Sequence, residues 1–154
     1  MKTIKTILFP TDFSHNSAYA WKHALLHAQR HKARIVLLHI IDRMPQDYQW
    51  MMVAMTPAQI YDVLREQAEK KMARMTEQAT KAGIRCEQQI RNGVPFVEII
   101  RYAKARKADM IVMGSHGRTG LRQMLVGSVA EKVVRKAHCS VLVIKHPKQK
   151  FRMP

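Results

Sequence analysis

Residues Arg34–Ile41, reading RIVLLHII, constrain the architecture more than any other stretch of the chain. A strand with one wetted face alternates apolar and polar residues. This run is almost wholly apolar, which marks a strand buried on both faces, the situation of a parallel sheet covered by helices above and below. The rest of the sequence supplies what such a sheet needs. Short apolar runs at 4–9 (ended by Pro10), 84–91, 109–113 and 140–144 alternate with helical patterns at 14–31, 57–82, 95–106 and 129–137.

The helical stretches are read from their periods and ends. In 14–31, Ala18, Trp21, Leu25 and Ala28 recur at three- and four-residue steps. In 57–82, Pro57 opens the first turn and Gly83 follows the last. The order is β-α-β-α-β-α-β-α-β, and right-handed crossovers place its helices on both faces of one five-stranded parallel sheet. With 154 residues, no repeat and no linker, the chain reads as a single α/β domain over 1–147 with a basic tail at 148–154.

Composition narrows the function. No apolar run reaches the roughly 18 residues that span a bilayer, and Met1-Lys2-Thr3-Ile4-Lys5 leads into a strand without the apolar core of a signal peptide. Cys86 and Cys139 lack metal-ligand spacing, and a cytoplasmic protein is expected. Twenty-seven Lys and Arg against eleven acids give a formal charge of +16, which favours polyanionic partners. Those cations are dispersed over the helices and gathered only in the tail, so a solvated basic surface is the plainer reading of them.

Four of the six glycines fall in Gly114-Ser115-His116-Gly117-Arg118-Thr119-Gly120 and the following Gly127. They stand between a strand pattern and a helix pattern, where glycine lets the backbone approach a ligand and a helix start offers unpaired N–H groups. A phosphate cradle is the functional reading. The spacing is neither that of a Walker A loop, which needs Lys before Ser or Thr, nor that of a dinucleotide fingerprint after the first strand. Ligands of such sheets bind beyond the C-terminal strand ends where strand order reverses. Asp12 and the glycine segment share that crevice if the first and fourth strands are neighbours.

The stretches Ile7-Leu8-Phe9-Pro10-Thr11-Asp12-Phe13-Ser14, Leu38-His39-Ile40, Ala108 through Gly117 and Cys139 through Ile144 resemble the universal stress protein family. The spacing Gly114-x2-Gly117-x9-Gly127-Ser128 is similar to the motif of its ATP-binding branch. The resemblance implies a Rossmann-like sheet of order 3-2-1-4-5, related to the adenine nucleotide alpha hydrolases. It also implies a homodimer and ATP, with Mg²⁺, in the crevice. Carried over, Asp12 contacts ribose or base, and Pro10, Thr11 and Ile40 form the adenine pocket. Met113 and Gly114 approach base and ribose, while His116, Gly117, Gly127, Ser128 and Val129 surround the phosphates. Isoleucine at 40 replaces the family's usual valine.

Plainer roles stand beside these. Asp12 and Ser14 fit caps of the first helix, Ser128 with Glu131 fits a capping box, Gly120 fits a loop position, and Arg118 and Arg122 fit either phosphate clamps or exposed loop residues. The connection 42–56, with Tyr48, Trp50, Met51, Met52 and Met55, fits a lid, a partner surface or a loop packed on its own domain. The strand Ser140–Ile144 is an apolar edge suited to a two-fold dimer, or to cover by the tail. Few acids accompany Asp12 and Asp42, so catalysis has little support. The leading expectation is an ATP-binding regulatory module with at most slow hydrolysis. The others are an ATPase or nucleotidyl-transferring enzyme, and an adaptor using its basic surface on nucleic acid or acidic proteins. Gly127→Val is expected to fill the phosphate space without disturbing the fold.

Overall fold

A computed structural model of the chain describes residues 3–42, 54–117 and 126–148. The elements are β1 (Thr6–Pro10), α1 (His15–His31), β2 (Arg34–Ile41), α2 (Pro57–Lys81), β3 (Cys86–Asn92), α3 (Pro95–Ala105), β4 (Met110–Gly114), α4 (Ser128–Lys136) and β5 (Ser140–Ile144). All strands are parallel, in the order β3-β2-β1-β4-β5. Arg118, Gly120 and Arg122, the residues Tyr48, Trp50, Met51 and Met52, and the tail from position 149 lie outside the described residues.

The period of two along each strand builds two cores. Ile7, Phe9, Ile35, Leu37 and Val112 point to one face, where Ala20, Trp21 and Ala24 of α1 and Met72 and Ala79 of α2 cover them. Leu8, Val36, Leu38, Ile111 and Met113 point to the other, against Ile99 and Ala103 of α3 and Ala130 and Val133 of α4. This explains why RIVLLHII is apolar at nearly every position. Trp21 adds a specific tie, its Nε1–H donating to Gln78 Oε1 at 2.8 Å, so α1 and α2 are locked side by side.

Helix ends follow local chemistry. The Ser14 hydroxyl caps α1 by accepting from the Ser17 N–H. Thr56 and Gln59 exchange the two bonds of a capping box at α2. Its far end is a Schellman turn: Gly83, at φ +73°, donates to Thr80 O and Ile84 to Ala79 O. That use of the Ile84 N–H delays β3 to Cys86, two residues later than the apolar pattern indicates.

The capping box expected at Ser128 is absent. The N-cap of α4 is Gly127, and Ser128 is its first helical residue, with no side-chain cap. Glu131 instead pairs with Arg135, 3.0 Å away. The cause lies in the backbone, because Gly127 N–H is drawn to Ser115 O at 2.7 Å and the helix starts there. Cys86 and Cys139 are free thiols, and burial pushes the Cys86 thiol up, keeping it protonated. Among the described residues no helix is long and apolar enough to cross a membrane.

Candidate functional site

With β1 between β2 and β4, strand order reverses at the C-terminal end of β1, and the loop leaving β1 opens onto the crevice expected there. That loop is held rigidly. Thr11 N–H donates to Leu38 O at 2.8 Å, the Thr11 hydroxyl bonds Ser17 Oγ at 2.8 Å and accepts from Phe13 N–H at 3.1 Å. The buried His39 donates from Nδ1 to Thr11 O at 2.7 Å. Phe13 takes a left-handed φ of +61°, uncommon for an aromatic residue, and its ring lies 4.4 Å from that of His39. The Lys71 ammonium sits 5.2 Å from the centre of the Phe13 ring on its own side, so α2 also bears on the loop.

These bonds fix the Asp12 carboxylate. Its Oδ1 accepts from Ser14 N–H at 3.0 Å. Its Oδ2 faces the loop that leaves β4, and a Cβ on Gly117 would lie 2.8 Å from it. Asp12 and the glycine segment therefore meet, as the switch-point argument required.

The second wall is built by close backbone approaches. Ser115 donates its N–H to Ile144 O at 2.8 Å and accepts at its carbonyl from Gly127, so β5, the glycine loop and the start of α4 form one unit. A Cβ on Gly127 would meet Ser115 O at 3.0 Å and His116 Cα at 3.3 Å, and one on Gly114 would meet the Asn16 backbone at 3.2 Å. Both glycines are needed for packing of chain on chain. The expectation that a valine at 127 would intrude on ligand space is corrected here, since its side chain would strike protein backbone. His116 is buried beside Ser115, with Nδ1 3.0 Å from the Ser115 hydroxyl.

The remaining candidates divide by what their side chains are already doing. Pro10 and Met113 are buried in the sheet, and Thr11 spends its hydroxyl inside the protein. Ile40 and Val129 are half-buried against the second core. Gly117 and Ser128 are exposed. A helix start with no side-chain cap, a glycine strand end and one acid can together hold an anion and hydroxyl groups. His39 and Phe13, which set the loop, carry no composition signal that distinguishes them from core residues. A depression at the other end of the sheet, near Lys104, Lys107 and His138, opens at the N-terminal strand ends and lies away from this chemistry.

The universal stress protein family model matches residues 3–145. The chain belongs to that family. Universal stress protein MJ0531 of Methanocaldococcus jannaschii is 35% identical over 150 residues, covering 94% of this chain and 84% of that protein. Universal stress protein MJ0577 of the same archaeon is 32% identical over 153 residues, covering 92% and 94%. The solved structure of MJ0577 superposes with a TM-score of 0.84 over 96% of this chain and 99% of its own, at 33% identity. UspA from Lactobacillus plantarum gives 0.80 at 28% identity, over 94% and 99%. The five-stranded sheet of order 3-2-1-4-5 with four helices is the fold of these family structures.

Proposed function

We propose that this universal stress protein is a cytoplasmic, homodimeric regulatory module that binds ATP in the crevice between β1 and β4. The observation that carries the reading is the meeting of Asp12 Oδ2 with the exposed backbone of Gly117, where even one added carbon would be 2.8 Å from the carboxylate. Such a bare approach sets the acid directly beside an exposed peptide chain, so that one ligand lying over both can touch both. Family members have been solved in complex with cAMP and with dAMP, which supports an adenine nucleotide as the ligand class.

In this reading Asp12 accepts from ribose hydroxyls, and the Ile40 and Met113 backbones border the base. Backbone N–H groups of Gly117, Ser128 and Val129 face the phosphates at the positive end of α4. ATP supplies the negative charge and the phosphates that such an end favours. Among the described residues no group of three His, Cys, Asp or Glu is placed to hold a metal ion. Magnesium would therefore arrive on the phosphate oxygens. Asp12 is engaged with the Ser14 N–H and is positioned to bind rather than to activate water, which fits slow hydrolysis at most.

The test is to denature freshly purified protein, resolve the released nucleotides by anion exchange, and titrate the stripped protein with Mg-ATP by calorimetry. ATP or ADP near one per chain is expected. Gly117→Ala, which displaces Asp12, should weaken ATP about tenfold, or ~1.4 kcal/mol. Neither released nucleotide nor uptake of Mg-ATP, or unchanged affinity in Gly117→Ala, would overturn the assignment.

A further inference from the structure

One face of α1 is unused by the crevice. His15, Tyr19, His23, His27 and His31 recur at every fourth residue, which on a helix of 3.6 residues per turn makes one slowly drifting row. The helix contains Lys22 and Arg30 and ends on Lys32, and it has no Asp or Glu in its 17 residues. The glutamates lie elsewhere, each with a Lys or Arg partner: Glu66, Glu69 and Glu77 on α2, Glu87 on β3, Glu98 on α3 and Glu131 on α4.

A second element completes the row. The segment leaving β5 brings the His146 ring 4.6 Å from that of His15 and 4.9 Å from that of Tyr19, while Tyr19 lies 5.3 Å from His23. Four rings thus form one half-exposed cluster, with Lys22 and Lys148 beside it. A transition-metal site is the first alternative such imidazoles suggest. Among the described residues, however, no three of them converge on one point. What the cluster does offer is flat faces next to the cations Lys22 and Lys148.

We propose that the α1 face, completed by His146, is a binding site for single-stranded nucleic acid whose affinity rises as pH falls below neutrality. Bases stack on the Tyr19 and histidine rings, and phosphates meet Lys22, Arg30 and Lys148. An unpaired strand is the occupant because stacking needs splayed bases, whereas a helix face lying flat on duplex would meet backbone alone. The pH dependence follows from what surrounds the imidazoles. His146 faces His15, Lys148 and Lys22, and His27 faces His31, His23 and Arg30. The strands beneath α1 are no counterweight: β1, β4 and β5 contain no charged residue, and in β2 Arg34 is paired with Glu87 while His39 is bonded to Thr11. On α2, packed beside α1, Glu66, Glu69 and Glu77 are each paired with a Lys or Arg of their own helix. Protonation then adds charge to a face already rich in cations, which an external anion can neutralise.

The experiment is fluorescence anisotropy of a fluorescein-labelled oligo-dT of about a dozen nucleotides with the full chain, at low salt and with saturating Mg-ATP present. Affinity should rise about tenfold or more between pH 7.5 and pH 5. Tyr19→Ala and His146→Ala should each weaken binding about fivefold or more, and Tyr19→Phe should retain it. The exposed His15→Ala serves if Tyr19→Ala fails to fold by circular dichroism. Lys104→Gln, on the opposite face of the sheet, should change affinity less than about twofold. Losses in the ring variants no larger than for Lys104→Gln would reduce the binding to bulk charge and overturn the site. So would stronger binding of duplex or of an oligoglutamate, or oligonucleotide binding that appears only when Mg-ATP is left out.

Discussion

Gly127 shows how one missing carbon can serve packing and function together. Its φ of −67° is open to any residue, so backbone freedom is not what the position requires. The requirement is the 3.0 Å gap between its would-be Cβ and Ser115 O, which brings the start of α4 against the glycine loop. Gly127→Ala or Gly127→Val should therefore cost stability, about 1–3 kcal/mol as overpacking of backbone against backbone. A urea melt should show a lowered midpoint, with valine worse than alanine. An unaltered midpoint for Gly127→Val would mean that the loop gives way freely. Gly117 differs, because its would-be neighbour is the Asp12 side chain, so there the loss should fall on ligand affinity more than on folding.

Among the elements, α1 has the most distinctive physics. His27 Nδ1 is buried without a hydrogen-bond partner among the described residues. Burial, and then the neighbouring His31, His23 and Arg30, hold its imidazole below the usual histidine range. The folded chain thus binds fewer protons here than the unfolded one, and stability rises with pH through the interval between the two values. It is lost as pH falls from about 6.5, the unfolded value, through the lower folded one. Thermal melts should show the melting temperature dropping between neutral pH and pH 5, and His27→Gln should flatten that drop. An equally steep drop in the variant would move the cause elsewhere.

Elements are also where the sequence was most legible, and the reason is visible in the cores. Arg34–Ile41 matches its apolar pattern because a residue buried on either face must be apolar, and Ser140–Ile144 matches because Val141 to Ile144 pack in part against both cores. Asp12 with the glycines was legible because strand ends and glycines are local signals. The start of α4 was not, since Ser128 and Glu131 have capping-box spacing while a long-range bond from Gly127 to Ser115 decides the N-cap. Nor was the left-handed Phe13, whose conformation depends on His39 from another strand. The ring cluster of His15, Tyr19, His23 and His146 needed the fold to bring the last of these from the far end of the chain.

At the scale of the whole molecule, the two borders of the sheet are chemically unlike. The outer strand β3 reads CEQQIRN and exposes Gln88, Gln89, Arg91 and Asn92. The opposite border, β5, reads SVLVI and leaves Val141, Leu142, Val143 and Ile144 only partly buried. Pairing of β5 with a second copy should be broken by Val143→Lys, because a charge placed in an apolar ladder disfavours edge pairing. Sedimentation at micromolar concentration should show a dimer for the unaltered chain and a monomer for the variant. A monomer in both, or a dimer in both, would exclude this edge as the contact.

The same inequality limits how far assembly can proceed. A β-sheet whose two rims were both adhesive could recruit copies indefinitely, each newcomer presenting the rim just used. Here one rim is greasy and the other is furnished with amides and a guanidinium, so a partner laid along β5 would leave only polar borders outward. Growth would then terminate after a single addition, and the sheet would double without seeding a fibre.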